Sequence, residues 1–282
     1  MPHHSQKTLR GEVVFEGRGL HTGRAARVRL KGAPVGFGLR FSDLKTGLGE
    51  ITIGDLKAVD FASERRTRIG AAQNGVETIE HLLSALAGLG VSNARIEVDG
   101  EEIPALDGSA LPFVRAIREA GVVEQKARQE CIAIREPLFC SGENTAICVF
   151  PYRGFKITYT MDYPHPALKA QTVSLDITEG TFVSRIAPAR TFCTREEALF
   201  LRRKGFGKGA NFGNTLVFSK KGPIRNRLRF KDECARHKIL DLIGDLALAG
   251  RPVEGHFVAV RSGHYLNRRL LAMILNKKGN TA

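Results

Sequence analysis

Tryptophan is absent and tyrosine occurs only four times, leaving few platforms on which nucleobases could stack. No RRM, KH or zinc-finger spacing appears either, so nucleic acid is not expected as a partner. The five cysteines, Cys131, Cys140, Cys148, Cys193 and Cys234, are odd in number and form no CxxC pair. That argues against a disulfide framework and against a thiolate zinc site, so any metal must use histidines and carboxylates. No run approaches the roughly 20 apolar residues of a membrane span, and Met1-Pro2-His3-His4-Ser5-Gln6-Lys7 lacks the apolar core of a signal peptide. A soluble, cytoplasmic protein is expected.

What is present is a chain of 282 residues, 43% hydrophobic, long enough for one large domain or two moderate ones. Two are preferred. The 43 Lys and Arg outnumber the 29 Asp and Glu, a net +14, which favours anionic partners such as phosphorylated small molecules or an acidic membrane face. The clusters Arg202-Arg203-Lys204 and Lys220-Lys221 read as solvated loop faces, or more sharply as contacts to an anionic substrate or lipid headgroup.

Along the chain, strand patterns at 11–16 and 26–30 flank the turn Gly17-Arg18-Gly19-Leu20-His21-Thr22-Gly23. Its glycines suit a hairpin connection better than a phosphate loop, because the P-loop spacing is missing and no helix signal follows directly. His21 is then a turn residue, with substrate contact as the alternative. Further strands are predicted at 37–41 and 51–53. A cap at Asn74 with Glu77 three residues on, then helical spacing from Thr78 to a stop at Gly88 or Gly90, predicts a helix. A strand at 93–98 and a helix at 111–120 complete the first half. The second half repeats that order: strands at 131–134, 145–150 and 155–161, a loop-rich stretch through Pro164-His165-Pro166, helices at 194–204 and 232–249, and a strand at 257–260. Two similar α+β domains follow, residues 1–127 and 128–282, with the boundary near 124–129.

His237 and Asp241 stand four apart in an apolar-periodic segment, so on a helix they share one face. Divalent zinc accepts such a nitrogen and oxygen pair, although an ordinary helix-face contact has the same spacing. Catalytic zinc needs a third ligand, and His81, which opens the equivalent helix of the other half, is the best candidate. Glu80 beside it is either a carboxylate within reach of metal-activated water or a helix-surface charge. His264, in Ser262-Gly263-His264-Tyr265, reads as a loop residue. It is an ordinary histidine or a general acid kept protonated by a carboxylate, with Asp245 the candidate. His256, His165, His3 and His4 read as bystanders.

Gly19-Leu20-His21-Thr22-Gly23, Thr78-Ile79-Glu80-His81-Leu82, Asp107-Gly108-Ser109-Ala110, His165-Pro166-Ala167, Ala189-Arg190-Thr191-Phe192, Arg236-His237-Lys238-x-x-Asp241, Ile243-Gly244-Asp245-Leu246 and Ser262-Gly263-His264 occur in this order along almost the whole chain. Together they resemble the motifs of the UDP-3-O-acyl-N-acetylglucosamine deacetylases, the LpxC family. The resemblance implies an α+β fold of two similar domains, each a β-sheet with two helices, the helices packed between the sheets. It implies removal of the N-acetyl group of UDP-3-O-acyl-N-acetylglucosamine, giving acetate and UDP-3-O-acyl-glucosamine, the committed step of lipid A biosynthesis.

The same resemblance makes His81, His237 and Asp241 ligands of one zinc, with Fe(II) able to use the same set. It makes Glu80 the general base, His264 the general acid, Asp245 the carboxylate that orients it and Thr191 a hydroxyl for the developing oxyanion. Phe192, Ala198 and Phe206 would line an acyl passage, together with Phe200 and Leu201 of an insert near 194–214, and Lys238 would lie near the sugar and its phosphates. A monomer with transient inner-membrane contact is expected, and no fused dehydratase partner. Cys193-Thr194, where many members have Gly-Phe, and the basic Gly205-Phe206-Gly207-Lys208-Gly209 run leave acyl-chain preference open. The alternatives are a zinc hydrolase of another acylated sugar nucleotide, or a non-catalytic anion or nucleic-acid binder; the latter needs a broken ligand or base position, and none is broken.

Overall fold

The computed structural model describes residues 5–43, 49–63, 65–70 and 75–277. The described residues form a mixed α/β structure of several sheets and six α-helices: α1 (Glu80–Gly88), α2 (Leu111–Ala120), the short α3 (Glu179–Thr181), α4 (Arg195–Arg203), α5 (Glu233–Ala247) and α6 (His264–Asn276). The two main sheets share one topology. In the first, the hairpin Val13–Arg18 and Ala25–Gly32 pairs with Ala94–Asp99, which runs parallel to Leu39–Asp43, itself antiparallel to Ile51–Thr52. In the second, the hairpin Leu138–Gly142 and Thr145–Phe150 pairs with Val253–Val260, parallel to Phe155–Met161, itself antiparallel to Gln171–Asp176.

A parallel pair cannot be closed by a hairpin; it needs a crossover, usually helical. α1 precedes the strand Ala94–Asp99 and α5 precedes Val253–Val260, so the late strand of each sheet is delivered by a buried helix. The apolar layers follow. Phe113 of α2 meets Phe15 of the first sheet edge-on at 4.8 Å. α1 packs on α2 and on α5, and α5 and α6 pack on strands of the second sheet. Along α5 nearly every side chain from Glu233 to Leu246 is buried, as expected of a helix covered on all sides.

Gly244 sets the approach of α1 to α5. A Cβ placed there would lie 2.2 Å from the backbone oxygen of Glu80 and 2.9 Å from its Cα, atoms that cannot rotate away. Gly244→Ala is therefore expected to destabilise by about 1–3 kcal/mol through overpacking, outweighing the roughly 1 kcal/mol that alanine's helix propensity would add. Urea unfolding checks this; a variant as stable as wild type would mean the helices separate freely.

Several sequence expectations shift. The helix expected from Thr78 begins at Glu80, and its supposed cap, Asn74, lies outside the described residues; Ile79 precedes the helix with no side-chain cap. His264 is not a loop residue but the first residue of α6. That helix lacks a side-chain cap at Gly263, so no start signal announces it, although Leu266, Leu270, Leu271 and Ile274 lie buried at helical spacing. The stretch after Pro166, read as loop, contains the strand Gln171–Asp176 and the turns over Glu179–Ile186. Residues 122–128 form a strand antiparallel to Ser5–Leu9. The insert is a strand (Phe192–Thr194) paired in parallel with Leu216–Ser219, with α4 between them.

Candidate metal centre and its proton-transfer groups

The contact at Gly244 brings the first turn of α1 against the middle of α5, so charged groups distant in sequence share one buried space. Glu80, His81, His237, Asp241, Asp245 and His264 are all buried, and buried charges persist only when paired or liganded. The rings of His81 and His237 meet edge-to-face at 5.0 Å. Asp241 Oδ1 lies 3.3 Å from His237 Nε2 and 3.7 Å from His81 Nε2. One ligand atom from each of the three lies within 4.8 Å of the others.

This donor set fits a divalent ion. His237 Nδ1 is 3.1 Å from the carbonyl of Ala189; a carbonyl only accepts, so Nδ1 carries the proton and the Nε2 lone pair faces Asp241. Burial lowers the pKa of His237 to about 3, against the pull of Asp241, so the imidazole is neutral as a ligand must be. Burial opposes ionisation of Asp241, yet the Lys238 ammonium beside it, the nearby His81 and the charged His264 hold its carboxyl well below the usual range. Its Oδ1 is buried without a hydrogen-bond donor among the described residues. A cation there would satisfy the one carboxylate oxygen that Lys238 does not reach.

Two further carboxyl groups flank this set. Glu80 Oε2 accepts from the backbone N–H of Thr67 at 3.0 Å; burial raises its pKa, offset by the nearby His264 and His81. Asp245 is fully buried and accepts from three groups: Thr67 Oγ1 at 2.5 Å, Asn267 Nδ2 at 2.8 Å and His264 Nδ1 at 2.9 Å. His264 Nδ1 therefore holds a proton, and Nε2 points toward Asp241, 3.8 Å from Oδ2. Burial and the α6 N-terminus both disfavour an imidazolium there. The dipole costs about 0.3–1 kcal/mol, whereas a charge-assisted hydrogen bond contributes about 1.5–3. Asp245 wins, helped by Asp241 and Glu80, and the pKa of His264 rises to about 9.

The remaining residues singled out from the sequence are distributed around this centre. Lys238 Nζ donates to Asp241 Oδ2 at 2.8 Å, and that carboxylate keeps the ammonium charged despite burial. Phe192 stands edge-on to His237 at 6.3 Å, with Lys238 Nζ 6.0 Å from its ring centre. Thr191 is held through its backbone, donating to Gly108 O and accepting from Leu216 N. Gly108 explains the Asp-Gly-Ser motif: its φ is +79° and a Cβ there would collide with Asn214 O. Ala198 is half-buried on α4. Phe206 packs on His21 at 5.7 Å and under Arg66 at 4.9 Å, not on the histidine–aspartate set.

The glycine loop binds an internal anion. Buried Glu102 accepts from the backbone N–H groups of His21 and Thr22 and from the hydroxyls of Thr22 and Thr78. A Cβ at Gly19 would meet its Oε2 at 2.2 Å. Sequence reasoning missed Glu102, and also Thr67, which sits unmarked between basic residues in Arg65-Arg66-Thr67-Arg68. Asn267 and Arg268 were hidden with the helix that carries them; only the apolar spacing of that helix could have pointed to them.

A family model described as UDP-3-O-acyl N-acetylglycosamine deacetylase, LpxC, matches residues 6–276. The chain belongs to the LpxC family. Relatives named UDP-3-O-acyl-N-acetylglucosamine deacetylase agree with this LpxC assignment. Those of Acidithiobacillus ferrooxidans and Thermodesulfovibrio yellowstonii are 40% and 39% identical, covering 96% and 92% of this chain and 90% and 88% of theirs. That of Anaeromyxobacter sp. is 38% identical over 99% of this chain and 91% of its own. LpxC proteins are metal-dependent hydrolases acting on a UDP-linked acylated sugar. Among the described residues no helix is long and apolar enough to cross a membrane.

Proposed function

We propose that this chain is a zinc-dependent deacetylase that cleaves the acetamide of UDP-3-O-acyl-N-acetylglucosamine to acetate and the free amine, the committed step of lipid A biosynthesis. The observation that carries the reading is the buried His81, His237 and Asp241 donor set, with Glu80 and the Asp245–His264 pair beside it. Residues 1–127 and 128–282 then act as two domains. The first contributes Glu80 and His81, the second the rest, in keeping with the strand order their sheets share.

His81, His237 and Asp241 would hold the ion, Zn²⁺ or Fe(II), whose Lewis acidity acidifies water and polarises a carbonyl. Glu80, desolvated and so made more basic, takes the proton from the attacking water. The Thr191 hydroxyl supports the negative charge that develops on the acetamide oxygen. His264 then delivers a proton from Nε2 to the departing nitrogen, while Asp245 at Nδ1 keeps the ring oriented and charged. Without that proton an amide anion would have to leave. Phe192, Ala198 and Phe206 guide the acyl chain, and Lys238 lies close enough to reach sugar or phosphate oxygens. The net +14 charge suits a diphosphate substrate, and the enzyme works as a cytoplasmic monomer with transient contact to the inner membrane.

Purified protein is expected to carry about one zinc or iron per chain and to release acetate from the UDP-linked 3-O-acylated substrate. Chelation should abolish release and added Zn²⁺ restore it. Full turnover by metal-free protein, or metal-loaded protein that releases no acetate, would refute the reading.

A further inference from the structure

Thr67 makes two bonds that no other described residue combines. Its backbone N–H donates to Glu80 Oε2 on α1 at 3.0 Å, and its hydroxyl donates to Asp245 Oδ1 on α5. The same hydroxyl oxygen lies 3.4 Å from His264 Nδ1 and 3.3 Å from the guanidinium of Arg268. Thr67 is itself fully buried, so water cannot substitute for either bond.

The segment bearing Thr67 is anchored from α6. Arg268 is completely buried, and its guanidinium donates to the carbonyls of Ser63 at 2.7 Å and Arg66 at 3.0 Å, with Phe61 O at 3.4 Å. It stands one helical turn after His264, on the same face of α6. Asn267, between them, donates to Asp245 Oδ2 and accepts from Ser262 Oγ. One helix thus carries the imidazole, a donor to the carboxylate behind it, and the clamp that holds Thr67 in place.

We infer that Thr67 is a positioning residue that couples the proton acceptor to the proton donor, fixing Glu80 through its amide and the Asp245–His264 pair through its hydroxyl. The inference rests on the deacetylase reading. Asp245 needs three donors to hold both oxygens, and His264 Nδ1 bridges them unequally, at 2.9 Å from Oδ2 and 3.2 Å from Oδ1. Removing the Thr67 hydroxyl frees Oδ1 to draw the imidazole toward itself, turning Nε2 away from the line along which it serves the substrate. The substrate's binding groups are untouched, so the loss falls on turnover.

The test compares Thr67→Val, which keeps the shape and loses the hydroxyl, with Thr67→Ser, which keeps the hydroxyl. Thr67→Val is expected to lower kcat about ten- to a hundredfold, the range for lost supporting hydrogen bonds, with KM and bound metal changed less than about twofold. Thr67→Ser should recover most of kcat. Proton NMR of the substrate-free protein adds a readout independent of turnover. The His264 Nδ1–H resonance, assigned by its loss in His264→Gln, should move or broaden in Thr67→Val and persist in Thr67→Ser. Because wild-type acetate release is measured separately, failure of the deacetylase reading is distinguishable from failure of this one. Thr67→Val with wild-type kcat and an unmoved resonance, or Thr67→Ser as impaired as Thr67→Val, overturns the inference. If Thr67→Val does not fold, Thr67→Ala takes its place, and equal turnover in the Ala and Ser variants overturns it likewise.

Discussion

His237→Ala is expected to give a folded protein that retains no stoichiometric metal and has lost turnover on the order of a thousandfold. A metal ion contributes several kcal/mol of charge stabilisation in such a reaction, and each 1.4 kcal/mol or so is a factor of ten. The loss should be steep because His237 stands at the hub of the site, with its Nδ1 proton engaged by Ala189 O and its Nε2 facing Asp241. Removing it also leaves the buried Asp241 charge with Lys238 as its nearest partner. Metal analysis beside acetate release checks both halves. Retained metal with lost turnover would move His237 from ligand to another role, and retained turnover would end the metal hypothesis.

His264→Ala should behave in the opposite way toward metal, keeping it while losing about 10²–10⁴ in turnover, the usual weight of a general acid. The pH profile gives a finer test. His264 must be protonated to donate, and its pKa is raised from 6.5 to about 9. Activity is therefore sustained through neutral pH and falls as pH rises through the alkaline limb. A cation bound at Asp241 cancels part of that carboxylate's pull on His264, so the limb of the loaded enzyme should lie between those two values. Asp245→Asn keeps the shape but removes the main charge that raises the imidazole pKa, and the limb should move toward 6.5. An unmoved limb in Asp245→Asn, or loss of metal in His264→Ala, would show that the roles are misassigned.

Much of the fold was legible because it is local. Helix α2 and the strands Thr145–Phe150 and Phe155–Met161 lie where apolar periodicity puts them, since a half-buried element must present one face at its own period. The repeated order of elements in the two halves was legible too, and the two main sheets share one strand order. α6 was not, for want of a cap, and Gln171–Asp176 follows so soon after Pro164-His165-Pro166 that it was read with that loop. The His81, His237 and Asp241 donor set could be named from residue types and motif order, and the fold brings the three together. Thr67 could not, because a threonine flanked by arginines carries no local pattern that distinguishes it from a surface residue.

By itself the sequence determined which groups are available: no CxxC pair, no run of roughly 20 apolar residues, a surplus of cations, and a family-specific set of histidines and carboxylates. Tertiary structure alone decided that Thr67 and Asp245, 178 residues apart, share a hydrogen bond, and that Asp245 rather than the helix dipole governs His264. The physical reason is that periodicity records only whether a face is buried. Which charged groups meet in the buried space depends on how closely two crossover helices approach, and here that distance is set by a glycine whose neighbour is the backbone of Glu80.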